Sequence, residues 1–151
     1  MVAFRKAFEF DREHISFGIN LGSLLEQMGR IDEALDIFQE TVRRYPSEPQ
    51  ALGSLGNCYA VSGNVSEAQK CYRKQIDLDP KSGSAWFSLG MVLSSDSQHV
   101  EALQAYKKCT ELEPNSSAGW RESGNILMNL DRFEESVEVL KRALSIDPKD
   151  E

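Results

Sequence analysis

Apolar residues between positions 49 and 82 fall into two stripes, each with the three- and four-residue spacing of an α-helix. The first stripe comprises Leu52, Leu55, Gly56 and Tyr59. The second stripe comprises Ala68, Tyr72 and Ile76. Gly63 interrupts the pattern between them and suits a helix C-cap, and Pro80 ends the second stripe because proline cannot continue a helix. This segment is therefore predicted to form two antiparallel helices joined by a short turn.

The same pattern returns every 34 residues along the chain. Glycine recurs at Gly22, Gly56, Gly90 and Gly124, and proline recurs at Pro46, Pro80, Pro114 and Pro148. This period divides the chain into repeat 1 (15–48), repeat 2 (49–82), repeat 3 (83–116) and repeat 4 (117–150). Small residues in both helices of a repeat, such as Gly56 and Ala68, are expected to let the two backbones approach closely. The predicted fold class is all-α.

Residues 1–14 carry one apolar helical stripe, formed by Phe4, Ala7 and Phe8. The stripe aligns with the second helices of the later repeats, so we interpret 1–14 as the second half of a preceding repeat or as an N-terminal cap. The sequence also ends abruptly at Pro148-Lys149-Asp150-Glu151. Both observations favour an alternative in which these residues are a targeting or assembly segment of a larger protein, such as an enzyme whose catalytic domain lies elsewhere.

The charge of the chain limits the classes of partner that it can bind. The chain has 17 basic and 24 acidic residues, and its net charge is −7. A general nucleic-acid or anionic-membrane surface needs excess Lys and Arg, so neither is expected. No apolar run approaches the roughly 20 residues of a membrane span, and the first residues do not resemble a signal peptide. The scattered cysteines Cys58, Cys71 and Cys109 are typical of reduced thiols, which predicts a cytoplasmic location.

No set of residues has the spacing of a catalytic or cofactor site. His14 and His99 lie far apart, and neither has a second His or a Cys at metal-ligand spacing. The sequence contains neither a glycine-rich phosphate loop nor a nucleophile elbow. Basic pairs late in the second helices, such as Lys107-Lys108, are interpreted as a solvated surface. The chain is therefore predicted not to be an enzyme and to hold no metal or cofactor.

The repeating residues resemble the tetratricopeptide-repeat signature, which places an aromatic residue, Leu-Gly, Tyr, Ala, a second aromatic residue and Pro in one repeat. Repeat 3 carries it as Trp86, Leu89, Gly90, Ala102, Tyr106 and Pro114. Repeat 2 carries it as Leu55, Gly56, Tyr59, Ala68, Tyr72 and Pro80. Repeat 1 departs from it at Gly18, and repeat 4 departs at Ser123 and Ser136. The resemblance implies a right-handed α-solenoid of antiparallel helix pairs, a superhelix whose first helices line a concave groove.

The resemblance also implies a function, because the groove of such an array holds a peptide or helical segment of a partner protein. On family geometry, the predicted partner-binding residues are Ile19, Ser23, Asn57, Phe87, Met91, Arg121, Asn125 and Met128. The methionines are apolar where a solvated face is polar. Asparagine and arginine side chains bind peptide backbones or carboxylates. The alternative is that Phe87 and Met91 pack against neighbouring helices.

Two further expectations concern the kind of partner. One branch of the family grips the C-terminal carboxylate of heat-shock chaperones, but this chain matches that pattern only at Asn57, and Glu122 repels a carboxylate. That partner is therefore not expected.

The last helix carries Val137, Leu140 and Leu144, and no following helix is predicted to cover them. Because solenoids normally end in a polar capping helix, we expect a homodimer through the uncapped terminal helices.

Overall fold

The computed structural model describes residues 15–148, which form eight α-helices and no strand. The helices are α1 (Ile15–Gln27), α2 (Ile31–Arg44), α3 (Pro49–Val61), α4 (Val65–Leu78), α5 (Gly83–Ser95), α6 (His99–Leu112), α7 (Ser117–Asn129) and α8 (Phe133–Ile146). The all-α prediction is confirmed. The chain divides into two compact units, the first ending at Leu78 and the second beginning at Asp79. The helix predicted within 1–14 lies outside the described residues.

Each pair of helices is joined by a turn of three residues. A connection this short makes the two helices antiparallel neighbours. In the first compact unit α1 packs on α2, α2 on α3 and α3 on α4, and α1 also contacts α3. In the second compact unit α5 packs on α6, α6 on α7 and α7 on α8. Helices that follow one another in sequence therefore pack consecutively within each compact unit, which is the packing of an α-solenoid.

The turn inside each repeat has the same backbone geometry. Its middle residue has a positive φ, which is 73° at Gly29, 80° at Gly63, 58° at Ser97 and 57° at Asp131. In repeat 2 the amide of Gly63 donates to Ala60 O at 3.1 Å and the amide of Asn64 donates to Tyr59 O at 2.8 Å. These two bonds form a Schellman cap, so the predicted C-cap at Gly63 is confirmed. Ser97 and Asp131 adopt a conformation that side chains disfavour.

The recurring glycines of the first helices make room for a large side chain of the second helix. A Cβ atom on Gly56 would lie 2.8 Å from the ring of Tyr72, which is closer than packed atoms approach. The equivalent pairs are Gly22 with Phe38, Gly90 with Tyr106 and Gly124 with Leu140, at 2.5, 2.7 and 2.5 Å. Ala68 is fully buried in the same repeat, as its small size led us to expect. The period thus preserves a steric match as well as a pattern.

The two serines at which repeat 4 departs from the family signature are buried and hydrogen bonded. Ser136 Oγ donates to the carbonyl oxygen of Gly124 at 2.9 Å, which links α8 to α7. Ser123 Oγ donates to the carbonyl oxygen of Gly119 at 2.8 Å, one turn earlier in α7. A buried hydroxyl is costly only when it lacks a partner. Repeat 4 therefore keeps the helix pair despite both substitutions.

Tryptophans at the start of repeats 3 and 4 form hydrogen bonds to the turns that precede them. Trp86 Nε1 donates to Pro80 O at 3.2 Å. Trp120 Nε1 donates to Pro114 O at 2.9 Å. In both cases the indole of a first helix holds the carbonyl of the proline that ended the previous helix. These bonds set how α5 and α7 begin, and so help to position the side chains described next.

Candidate partner-binding faces

In the first compact unit, the predicted binding residues lie on α1 and α3, which contact each other. Ile19 and Ser23 on α1 are half-buried, whereas Asn57 on α3 is exposed. Val61 follows Asn57 by one turn and is also exposed, so both lie on the same side of α3. This face therefore presents one polar and one apolar side chain from α3 beside the partly covered residues of α1.

The Asn57 amide has a defined orientation. Tyr72 Oη on α4 donates a hydrogen bond of 2.6 Å to Asn57 Oδ1. The Tyr72 ring is itself held against Gly56. Within residues 15–148, Asn57 Nδ2 donates to no other atom. Because the oxygen is occupied from inside the repeat, the amide nitrogen remains available as a donor on the exposed side.

In the second compact unit, Phe87 and Met91 lie one turn apart on α5 but in different surroundings. The Phe87 ring packs on the Tyr106 ring of α6, with centroids 5.6 Å apart and planes tilted by 60°. Phe87 is half-buried by this contact. Met91 is 52% exposed. The packing alternative therefore describes Phe87 well, while Met91 presents a large apolar side chain to solvent.

Two of the three predicted residues on α7 contact the carboxylate of Glu122, which the sequence did not assign to the binding face. Arg121 Nε and Asn125 Nδ2 lie 3.3 Å and 3.4 Å from the two oxygens of Glu122. Met128 is 43% exposed on the same helix. The spacing of Glu122 and Asn125, three residues apart on a helix, was the available signal. Because Glu122 offsets the charge of Arg121, the cation is less suited to a free carboxylate than the sequence suggested.

Tyr106 links the α5 residues to those on α7. Burial raises the pKa of its hydroxyl, and the nearby charge of Glu122 on α7 raises that pKa further. Within the described part of the chain, Tyr106 Oη makes no hydrogen bond. In repeat 2 the equivalent tyrosine bonds to Asn57, but the place of Asn57 is taken in repeat 3 by Met91. The Tyr106 hydroxyl is therefore a polar group without an intrachain partner in residues 15–148.

The described residues offer little reactive chemistry. They contain no cluster of three or more His, Cys, Asp or Glu side chains placed to hold a metal ion. None of the eight helices has the length and apolar character needed to span a membrane. Cys58, Cys71 and Cys109 are free and buried, and burial raises the pKa of each thiol to about 11. Such thiols stay protonated at neutral pH and are weak nucleophiles. His14 lies outside the described residues.

The last helix, α8, exposes an apolar face. Phe133, Val137 and Leu144 are 56%, 51% and 47% exposed. Leu140, between them in the same stripe, is half-buried because it fills the space above Gly124. Within residues 15–148 no element covers Phe133, Val137 and Leu144, whereas Leu140, which the sequence also predicted to be uncovered, packs on α7.

Comparison with known families places the chain. The family model described as tetratricopeptide repeat matches residues 25–90 and 93–151. These segments include most of the chain, and the helix pairs, turns and glycine contacts follow the same period. The chain belongs to the tetratricopeptide-repeat family. A search of the curated proteins finds no match to this sequence.

Several solved structures share the fold. A crystal structure of MamA has a TM-score of 0.89 and 22% identity, covering 97% of this chain and 86% of that chain. The MamA RS-1 ArsTM double mutant has a TM-score of 0.87 and 15% identity, covering 98% and 83%. MamA 41-end from Desulfovibrio magneticus RS-1 has a TM-score of 0.86 and 15% identity, covering 98% and 84%. At these identities the likeness shows the α-solenoid fold of helix pairs and nothing about the partner.

Proposed function

We propose that this chain is a non-catalytic scaffold that binds a peptide or helical segment of a partner protein in the groove implied for its family. The observation that carries the proposal is the combination, in the second compact unit, of exposed methionines with a tyrosine hydroxyl that makes no hydrogen bond within residues 15–148. Met91 on α5 and Met128 on α7 supply the apolar surface. Tyr106 supplies the hydroxyl. Surfaces that combine exposed apolar and polar groups commonly recognise other proteins.

The methionines are the proposed apolar anchors. Covering Met91 and Met128 removes exposed apolar surface from water, which favours binding. Methionine is flexible and polarisable, so it adapts to the shape of the side chains that it contacts. Phe87, one turn before Met91 on α5, packs on the Tyr106 ring. We expect a partner segment that places at least one large apolar side chain on Met91.

Polar groups of the faces are proposed to bind the partner's backbone. Asn57 offers an oriented amide nitrogen, and Tyr106 offers a hydroxyl that both donates and accepts. Asn125 adds a second amide, held loosely by Glu122. Ile19 and Ser23 on α1 are the remaining proposed contacts of the first compact unit. The carboxylate of Glu122 offsets the charge of Arg121. We therefore expect the bound segment to combine apolar and polar side chains and to place no terminal carboxylate at Arg121.

The scaffold is proposed to act in the cytoplasm without a catalytic group, metal or cofactor of its own. The three free thiols fit a reducing compartment. The net charge of −7 opposes binding to nucleic acid or to an anionic membrane surface. The repeat family to which the chain belongs favours a protein as the partner.

The test is a two-stage binding measurement. Affinity capture with the chain identifies a bound protein, and titration with a peptide from that protein then gives the affinity. The double variant Met91→Glu with Arg121→Ala is expected to weaken the titrated affinity at least tenfold. Its far-UV circular dichroism and melting temperature are expected to stay unchanged, because Met91 is mostly exposed.

A matched double variant controls for the loss of one methionine and one arginine. Met28→Glu with Arg43→Ala changes exposed residues of the same types away from the proposed groove. The peptide is expected to bind this variant as it binds the unchanged chain. If the unchanged chain and both double variants bind the peptide equally well, the proposed site is wrong. If both double variants lose affinity equally, the loss does not depend on the proposed groove.

Self-association is the second candidate function. The exposed apolar face of α8 favours it, because an uncovered stripe of this kind is the surface through which neighbouring helices pack. We propose that the chain forms a homodimer through this terminal helix. The two candidates are compatible, since α8 carries none of the residues assigned to the groove.

A further inference from the structure

The apolar stripe of α8 has the spacing of a helix–helix seam. Its members are Phe133, Val137, Leu140 and Leu144, which are separated by four, three and four residues. That alternation places all four on one side of the helix, as in the seam of a coiled coil. Three of the four are about half exposed. The stripe is therefore suited to a straight neighbouring helix.

The preceding second helix shows what normally covers this surface. In α6 the residues equivalent to Val137 and Leu144 are Leu103 and Thr110, which are only 4% and 5% exposed. They are buried because α7 packs on α6, and a Cβ on Gly119 of α7 would lie 3.1 Å from Thr110. Within residues 15–148, no helix packs in the same way on α8. The stripe of α8 therefore corresponds to the surface of α6 that packs on the next helix, but no helix among residues 15–148 covers it.

Two charged residues border the stripe on its solvent side. Glu134 and Lys141 are seven residues apart, each follows a stripe residue directly, and both are exposed. Among the described residues neither takes part in a salt bridge. The neighbouring Glu135 is different, because Arg132 holds it in a bidentate pair at 2.6 Å. The other border of the stripe is formed by Ser136 and Ala143, which are buried inside repeat 4.

The order of these charges selects an orientation. If two α8 helices ran parallel about a two-fold axis, the charged borders of the two copies would lie on opposite sides of the seam, so Glu134 of one copy and Lys141 of the other could not pair. If they ran antiparallel, each Glu134 would meet a Lys141 and the two helix dipoles would oppose each other favourably. The apolar residues match in the same register, because Phe133 then faces Leu144 and Val137 faces Leu140. A second copy of the chain is thus complementary to α8 in both shape and charge.

We propose that two copies of this chain pair through α8, antiparallel about a two-fold axis, with Glu134 of each copy bound to Lys141 of the partner subunit. The inference rests on the self-association proposed above and specifies its interface. One pair of helices of this length lies at the low end of interface sizes, so the dimer is weak and reversible, with a dissociation constant on the order of 100 μM. Because the interface is isologous, each substitution acts twice.

The test uses charge reversal in the whole 151-residue chain, followed by sedimentation equilibrium over a wide concentration range. Glu134→Lys alone and Lys141→Glu alone each turn two attractive contacts into two repulsive ones. Each is expected to weaken the dimer at least tenfold. The double variant restores opposite charges at both contacts and is expected to recover the dissociation constant of the unchanged chain. The effect of each single variant is expected to fade at high salt, since exposed charges are screened.

A control in the same helix separates local pairing from net charge. Glu138 is exposed but lies on the side of α8 away from the stripe. Glu138→Lys therefore makes the same charge change as Glu134→Lys and is expected to leave the dimer intact. Val137→Glu, at a half-exposed position, is expected to abolish it while the fold persists.

Each outcome has a distinct meaning. A chain that stays monomeric at every concentration overturns both self-association and the interface. If Val137→Glu abolishes the dimer but Glu134→Lys leaves its dissociation constant unchanged, self-association through α8 stands and the antiparallel charge pairing is overturned. A dimer that survives Val137→Glu shows that another surface is used. Recovery in the double charge variant, with Glu138→Lys unaffected, supports the interface as proposed.

Discussion

Tyr72 donates a hydrogen bond of 2.6 Å to Asn57, and so joins the packing of repeat 2 to its exposed face. The tyrosine ring belongs to the core, where it fills the space left by Gly56. The asparagine belongs to the proposed groove. Tyr72 stands at a position that holds a large side chain in every repeat, whereas the position of Asn57 varies from repeat to repeat. The hydrogen bond between them therefore connects the stability of repeat 2 to the surface that it presents.

Removal of the Tyr72 hydroxyl is expected to cost stability, whereas removal of the Tyr106 hydroxyl is not. Tyr72→Phe loses the bond to Asn57, and we expect a fall of about 1 kcal/mol in the free energy of unfolding. Tyr106→Phe removes a hydroxyl that makes no hydrogen bond within residues 15–148 and is expected to be nearly neutral. Urea denaturation of both variants checks this. Equal losses would contradict the assigned difference, whose structural cause is the exchange of Asn57 for Met91.

Two glycines of α3 are expected to respond oppositely to alanine. A Cβ at Gly56 would lie 2.8 Å from the Tyr72 ring, so Gly56→Ala should lower the free energy of unfolding by about 1 to 3 kcal/mol. A Cβ at Gly53 would lie 3.0 Å from the flexible end of Gln75, which is able to move. Gly53→Ala should therefore be neutral or stabilising by up to about 1 kcal/mol through helix propensity. Thermal and urea unfolding measure both changes.

The turns of repeats 2 and 3 allow a reciprocal exchange. Ser97 has a φ of 58°, a conformation that glycine adopts without strain, so Ser97→Gly should raise the free energy of unfolding by about 0.5 to 1 kcal/mol. Gly63→Ser makes the reverse change at a φ of 80° and should lower it by at least as much. Melting temperatures of the two variants should move in opposite directions. A stabilising Gly63→Ser would contradict the strain assigned to this turn.

Stability in acid is expected to depend on Glu40. Hydrogen bonds from Arg43, and then from Arg44, lower the pKa of its carboxyl from 4.5 to about 2. The unfolded chain therefore binds more protons between these values, so this contribution is present above pH 4.5 and is lost as the pH falls toward 2. Because the side chain is partly exposed, the loss should not exceed about 1 kcal/mol.

Comparison of the unchanged chain with Glu40→Gln isolates this contribution. At pH 6 the variant should be slightly less stable, because it lacks the charged pair. At pH 2.5 the gap should be much smaller, because the unfolded chain is already protonated there while the folded carboxyl, with its pKa of about 2, begins to take up its proton. Urea denaturation at both values measures the difference, and a constant gap across the range would contradict the assignment.

The repeat period was sufficient to predict the helix pairs and their steric plan. Helical spacing reveals which side of each helix is apolar, and Gly63 and Pro80 mark where helices end, because backbone geometry alone limits those residues. The glycine that meets a large side chain of the second helix in each repeat recurs with the same period. These are local properties or properties shared by every repeat, so one sequence contains enough information to read them.

The functional surface depended on which particular side chains meet in space. Phe87 and Met91 are both apolar residues on one predicted face, yet the first packs on Tyr106 and the second remains exposed. Glu122 proved to hold Arg121 and Asn125. The Phe87 contact depends on the distance between side chains of different helices, which no spacing in the sequence encodes, whereas the Glu122 contacts lie within α7 and follow its helical spacing. The sequence by itself determined a tetratricopeptide-type array; only tertiary packing decided which side chains remain available to a partner.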